Sequence, residues 1–523
     1  MSSVSGPKPG VGISRRSFIQ AAGLGAVGLA LGGVAVNKTE AKQSAFQSPK
    51  RPNILFITTD EFRWDALGVA GNRVVQTPNL DRMAAEGAHF TQTYCQGPLC
   101  QPSRASLLTG RYVHEHGHSW NRMLMNPDWP TMAKQLQKNG YRTAVIGKTH
   151  FYDRPPARSH DFRENAFFVR KFGFDDVIEE YDKYLHAVPN IVTPYTEYLK
   201  EKGLLETYLA ETPSLQALRG DPRKYWEPGT SKLPQEHDLT SFITRAAVDW
   251  LEKYDSDKPF FLWLSYVAPH PPLIDDPTWA TAYQGKNMPL GPQDKPDTPG
   301  NAWGRYLRAW MRGTAVDRLT PEVIAECARS YFGMISLIDQ GIGDLQSLLR
   351  KRNLDDKTWA FFTADHGEML GDHGLMFKNV FYKGSVLVPG IIRPPLGMPQ
   401  RQVSGPIESI DLTATMLDVT GAEPVEGLRG QNLVPEMNGE RNGRDVVFSE
   451  LAGHGNRGNF FVMAATDRYR YTFDKQNDIA CELFDLKKDP SESHNLVDDP
   501  AFKGVRQDMH KDYYQPFVEG KIG

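Results

Sequence analysis

Asn53-Ile54-Leu55-Phe56-Ile57-Thr58-Thr59, followed at once by Asp60-Glu61, is the stretch on which the fold turns. It carries no charge and no turn former, and it is rich in β-branched and aromatic side chains, which predicts a strand buried on both faces. A carboxylate at its C-terminal end then stands on the rim where open α/β sheets bind ligands. Later runs repeat the pattern. Tyr141-Arg142-Thr143-Ala144-Val145-Ile146 delivers Gly147-Lys148-Thr149-His150, and Pro259 to Val267 delivers Ala268-Pro269-His270-Pro271-Pro272. Thr358-Trp359-Ala360-Phe361-Phe362-Thr363-Ala364 delivers Asp365-His366-Gly367-Glu368. Apolar strands that end in acids, bases and cations predict an α/β sheet with a reactive rim.

Helical patterns fall between the strands. Thr77 to Gly87 reads as a capped helix ending at glycine, and Thr131 to Asn139 as one stopped by Gly140. Asp238 to Tyr254, Glu322 to Arg350 and Ser409 to Thr420 follow, the second with room for a break at Gly341-Ile342-Gly343 and the third closed by Gly421. Val386 to Arg393 is a further strand candidate. Phe151 to Gln235 and Asp275 to Arg312 mix aromatics, prolines and charges without periodicity, as functional rims and excursions do. Beyond about Asn438 the texture changes to short β-like runs at Asp445–Phe448, Asn459–Thr466, Tyr469–Phe473 and Glu482–Leu486.

A length of 523 residues suffices for a large core and a smaller second domain. With 40% hydrophobic and 24% charged residues and a formal net charge of −3, the chain has no basic stripe and no electrostatic case for nucleic acid. Its four cysteines, Cys95, Cys100, Cys327 and Cys481, form neither a metal-binding spacing nor a disulfide framework.

One cysteine stands apart. In Cys100-Gln101-Pro102-Ser103-Arg104-Ala105-Ser106-Leu107-Leu108-Thr109-Gly110-Arg111, Pro102 suits the first turn of a helix, where its missing N–H has no partner to lose. Cys100 is therefore expected at or just before a helix N-terminus, where free amides favour an anion. Arg104, one turn on, can offer a positive fork to a tetrahedral oxyanion. The pattern Cys100-x-Pro102-Ser103-Arg104-x4-Thr109-Gly110-Arg111 resembles the signature of type I sulfatases of the alkaline phosphatase superfamily.

The resemblance implies a large, mixed, mostly parallel sheet flanked by helices, closed by a smaller antiparallel C-terminal domain. The expected boundaries are 1–47 for an export signal and linker, 48–437 for the catalytic domain and 438–523 for the smaller one. It also implies that Cys100 is oxidised by a separate maturation enzyme to Cα-formylglycine, whose hydrated aldehyde attacks sulfur to form a covalent sulfoenzyme. Asp60, Asp365 and His366 correspond to metal ligands, together with residue 100. Glu61 stands where the family commonly has a second Asp and is carried over with them. Lys148 and Lys378 match the lysines that hold sulfate, His150 the base acting on the formylglycine hydroxyl, His270 the histidine near the leaving-group oxygen, and Arg104 a charge-neutralising group. Side chains two apart on a regular strand point to opposite faces, so Lys148 and His150 share one site only if the strand has already turned. Glu368 and His373 read as loop-structuring groups. Carboxylate and sulfate oxygens suit a hard cation, and an imidazole also suits Mn²⁺ or Zn²⁺; the resemblance decides for Ca²⁺.

At the N-terminus, Ser14-Arg15-Arg16-Ser17-Phe18-Ile19 precedes an uncharged run to Val36 with five glycines between Gly23 and Gly33. Paired arginines before a moderately apolar segment resemble a twin-arginine export signal, read by the export machinery. A retained signal makes the same run a membrane anchor. Export places the enzyme in the periplasm or outside the cell, acting on a sulfated carbohydrate or a small aryl or alkyl sulfate. The rival readings are a phosphonate monoester or phosphodiester hydrolase of the same superfamily, and a catalytically silent exported glycan-binding protein.

Overall fold

The computed structural model describes residues 51–152, 161–188, 191–453 and 459–523. The expected export segment, 1–47, lies outside the described residues. The principal sheet is built from β1 (Asn53–Asp60), β2 (Ala88–Phe90), β3 (Arg142–Lys148), β4 (Asp176–Glu180), β5 (Phe260–Pro269), β6 (Thr358–Ala364), β7 (Gly390–Arg393) and β8 (Arg401–Val403). Their order across the sheet is β8-β2-β7-β6-β1-β5-β3-β4. The run β6-β1-β5-β3-β4 is parallel, while β7 runs antiparallel to both β6 and β2. The mixed, mostly parallel sheet that the resemblance implies is thus present, with β1 in its interior.

Alternation along β1 shows why the run is apolar throughout. Leu55 and Ile57 enter one core with Leu80, Ile243 and Ile335, from helices α1 (Pro78–Ala85), α3 (Leu239–Glu252) and α4 (Pro321–Lys351). Ile54 and Phe56 enter the other core with Leu107 and Leu412, from α2 (Cys100–Thr109) and α5 (Ser409–Thr420). A strand between two helical layers has no face for a polar residue, and each such side chain contributes about 2 kcal/mol by leaving water.

Two expectations change in detail. Helix α4 runs unbroken through Gly341-Ile342-Gly343. A Cβ on Gly341 would stand 2.3 Å from Thr244 Oγ1, and one on Gly343 2.7 Å from the Asn79 side chain, so these glycines admit close neighbours instead of ending the helix. The strand expected over Val386–Arg393 is interrupted at Pro389, which has no N–H to give a ladder. Leu387–Val388 pairs with Thr93–Tyr94 in a separate small sheet, and β7 joins the principal one.

A separate antiparallel sheet, β9 (Val447–Ala452), β10 (Phe460–Ala465), β11 (Tyr469–Asp474) and β12 (Ile479–Asp485), closes the chain. Its Phe448, Val462, Tyr471, Phe473 and Leu483 pack with Tyr514 and Phe517. Among the described residues no helix is long and apolar enough to cross a membrane.

Candidate active site and metal centre

Register brings the reactive residues level. β1 and β6 pair from Asn53↔Thr358 to Thr59↔Ala364, so Asp60 and Asp365 leave the sheet side by side. Gly147 of β3 pairs with Ser265 of β5, and Asp60 is level with Pro269, which sets Lys148 and His270 on the same rim. Cys100 is the first residue of α2, as its Pro102 predicts, and the helix closes on Gly110 at φ 67°.

Arg104 ties these segments together. Fully buried, it donates from Nε to Asp365 Oδ2 at 2.8 Å and from Nη1 to the Lys148 carbonyl at 2.8 Å and to Ser265 Oγ at 2.9 Å. Nη2 lies 3.7 Å from Asp60 Oδ2 and has no hydrogen-bond partner. Ser103 Oγ also donates to the Asp365 carbonyl. The guanidinium thus ties β3, β5 and the residue after β6 to the first turn of α2, and only Nη2, beside Asp60 at the end of β1, remains to face an anion.

Asp60, Cys100, Asp365 and His366 offer ligand atoms that all lie within 4.8 Å of one another, and all are buried. His366 Nε2 is 3.1 Å from Cys100 Sγ and 3.6 Å from both Asp60 Oδ1 and Asp365 Oδ1. Its Nδ1–H donates to the Gly367 carbonyl at 3.0 Å, which turns the Nε2 lone pair inward. Asp365 Oδ1 is oriented by the backbone N–H groups of Glu61, at 3.1 Å, and His366, at 2.9 Å. Two carboxylates and an imidazole lone pair converging away from water fit a divalent cation.

Glu61 is turned elsewhere. With φ at 69° its backbone has left the strand, and its carboxylate accepts from Lys378 Nζ at 2.6 Å and lies 3.5 Å from His270 Nε2. It groups with Asp60 and His270, not with Asp365 and His366. Burial raises its carboxyl to about 8 even with Lys378 and His270 alongside. Lys378 is held on a loop with Leu370, His373, Phe377 and Asn379 all at positive φ. Glu368 accepts from the N–H groups of Leu370, at 2.7 Å, and Phe377, at 2.5 Å, while Arg63 donates to the carbonyls of Glu368 and Met369, both at 2.9 Å. His373, at 3.2 Å from Asp294, belongs to the same loop.

The turn required to bring Lys148 and His150 together is present. Gly147 has φ 100°, where a Cβ would meet the Ser265 carbonyl at 1.9 Å, and His150 has φ 56°. Burial, followed by Lys148, holds the His150 imidazole well below its usual range, and its Nδ1 is buried without a hydrogen-bond partner. His270 donates from Nδ1 to the Pro271 carbonyl at 2.7 Å, with Tyr184 Oη at 3.2 Å, which leaves Nε2 toward Glu61. Burial raises the Cys100 thiol well above its ordinary value, and Asp60 adds to this against Lys378 and Lys148. Asp60 itself is pushed up by burial but held well below the usual carboxylate range by Lys148, His270, His366 and Arg104. Asp182 and Tyr184, which reach this centre from the aperiodic stretch after β4, carried no signal of spacing or periodicity.

The Sulfatase family profile matches residues 52–422, and a profile described as N-sulphoglucosamine sulphohydrolase, C-terminal, matches 371–517. An arylsulfatase of Clostridium perfringens is 29% identical over 481 residues, covering 87% of this chain and 92% of its own. An N-acetylglucosamine-6-O-sulfatase of Bacteroides thetaiotaomicron is 27% identical, covering 86% and 83%. The structure of a phosphonate monoester hydrolase from Silicibacter pomeroyi superposes with a TM-score of 0.73 at 25% identity, covering 90% and 96%. A profile that spans every strand of the rim, and relatives aligned over most of both chains, make this protein a member of the sulfatase family, an enzyme with the alkaline phosphatase-like fold.

Proposed function

We propose that the protein hydrolyses an organic sulfate ester, a sulfated carbohydrate or a small aryl or alkyl sulfate, with a formylglycine made from Cys100 as nucleophile and a divalent cation beside it. The observation that carries this reading is the position of Cys100: Sγ lies 3.1 Å from His366 Nε2 and 3.8 Å from Asp60 Oδ1, inside the donor group and at the start of α2. A buried thiol held protonated is a poor nucleophile, which supports a working form of residue 100 other than the thiol.

Asp60, Asp365, His366 and residue 100 would hold the cation, Ca²⁺ by family resemblance, which when bound supplies positive charge to sulfate oxygens. Lys148, Lys378 and Arg104 Nη2 add fixed positive charge around residue 100, and such preorganised charge is usually the largest catalytic contribution. His270, its Nδ1–H tied to Pro271, leaves Nε2 available, and the ring protonated at both nitrogens is the acid that gives its Nε2 proton to the departing alcohol. His150 is the candidate base for the hydroxyl of residue 100. Glu61, paired with Lys378 and facing His270, supports these two groups.

The paired Arg15-Arg16 and the segment after them support export through the twin-arginine machinery, to the periplasm or beyond, with oxidation of Cys100 by a maturation enzyme. Mass spectrometry of the peptide containing Cys100 tests the modification: formylglycine is expected, and an intact cysteine in fully active enzyme would remove it from the mechanism. The second reading, hydrolysis of phosphonate monoesters or phosphodiesters, is favoured by the likeness to the phosphonate monoester hydrolase. Turnover of an aryl sulfate above that of an aryl phosphate diester is expected, and the reverse order would favour the second reading.

A further inference from the structure

Lys148 is completely buried and its ammonium touches two carboxylates, Asp60 and Asp182. They come from different directions along the sheet: β3 lies between β4, which Asp182 follows, and β1, which Asp60 ends. Their surroundings differ. Asp60 is fully buried, with Oδ1 toward His366 and Cys100 and Oδ2 toward Lys148 and Arg104. Asp182 is outside the donor group, and its side chain retains 13% exposure.

A divalent cation held by Asp60 would bring two positive charges close to the Lys148 ammonium and would compete with it for that carboxylate. In a buried site this repulsion is little screened. An ammonium left with a share of one carboxylate would either resist the cation or leave its seat. We infer that Asp182 is a positioning residue: it is the second counter-charge that keeps Lys148 seated on the rim when Asp60 engages the cation, and so couples the insertion after β4 to cation binding without touching the ion. The inference rests on the cation-dependent reading given above.

The test is calorimetric titration of chelator-stripped, full-length protein with Ca²⁺ alone, in a double-mutant cycle of Asp182→Asn and Lys148→Met. Asp182→Asn is expected to weaken Ca²⁺ binding about tenfold, a coupling of the size found between groups in one buried network. In the Lys148→Met background the same change is expected to alter the affinity less than about twofold, because the competitor is gone. Asp182→Glu, which keeps the charge, is expected to restore most of the affinity; metal-free Lys148→Met, which leaves Asp60 and Asp182 without their ammonium, is expected to melt below the parent, and circular dichroism at the titration temperature checks that each variant is folded. Equal weakening in both backgrounds would mean a plain field effect and overturn the inference, as would no weakening in the parent. Absence of Ca²⁺ binding by the unsubstituted protein would overturn both this inference and the cation reading beneath it, whereas a flat cycle with intact binding would overturn the inference alone.

Discussion

Two buried arginines, Arg104 on the sheet rim and Arg470 in the C-terminal sheet, face two carboxylates each and do different work. Arg470 donates to Glu492 at 2.6 Å and Glu482 at 2.8 Å, and its guanidinium lies 4.4 Å from the Phe484 ring centre and 5.2 Å from that of Tyr382. Aromatic faces cover that charge. Arg104 instead sits among Asp60, Lys148 and Cys100, with Nη2 unpartnered and Glu61 Oε1 and His150 Nδ1 likewise unpartnered nearby in the chain's reactive rim. Arg470 Nη2 is likewise without a hydrogen-bond partner, so the difference lies in the surroundings: aromatic faces close over Arg470 and hold a fold together, whereas Arg104 stands beside a cluster of ligand atoms and other unfinished polar groups, which marks a place built for something that binds.

The comparison can be broken most directly at residue 100. Cys100→Ala is expected to lower turnover of an aryl sulfate by at least about a thousandfold, as loss of a nucleophile does, with a melting temperature close to the parent's. Retained activity would show that the rim is not the catalytic centre. Arg470→Met should do the opposite: loss of about 3–5 kcal/mol of stability, because Glu482 and Glu492 are left buried without their partner. Specific activity of the molecules still folded should change little, and denaturant unfolding checks this. Removing divalent ions with a chelator should abolish turnover and lower the melting temperature, by the equivalent of about 3–4 kcal/mol if the ion is present at 100–1,000 times its dissociation constant. Added Ca²⁺ or Mn²⁺ should reverse both effects, and an unchanged melting curve would count against the four-donor site.

A smaller effect sharpens the contrast from outside both regions. Burial lowers the His89 imidazole on β2 from 6.5 to about 4. Its folded value is depressed, so the neutral form belongs to the folded state; the stability is present above pH 6.5 and is lost as pH falls from 6.5 through about 4. The full loss is up to about 3 kcal/mol. His89→Leu should flatten this part of the pH–stability curve measured by thermal unfolding, and an unchanged acid limb would assign it to other groups.

Much of the fold was legible because local pattern and burial coincide. Runs such as Asn53–Thr59 and Thr358–Ala364 are apolar on both faces, and the structure has helical layers on both faces there. The helix over Ser409–Thr420, ended by Gly421 at φ 65°, follows from periodicity and a terminal glycine. The edge strand β4 was not legible: Asp176-Val177-Ile178-Glu179-Glu180 is short, acidic and embedded in an aperiodic stretch, and only pairing with β3 makes it a strand. Likewise Gly341 and Gly343 read as a break until Thr244 and Asn79 are seen pressing against them.

By itself the sequence determined that apolar strands deliver Asp60, Lys148, His270 and Asp365-His366 to chain positions where strands end, and that Cys100 opens a helix. Those properties reside in a few adjacent residues, where side-chain chemistry and backbone preference act over one turn or one strand. Only the tertiary structure decided that Arg104 spends its bonded donors on three strands of the rim, that Glu61 turns to Lys378 and His270, and that Lys148 is shared between Asp60 and Asp182. These are contacts between groups far apart in the chain, and their partners are chosen by sheet order and register, which no local spacing records.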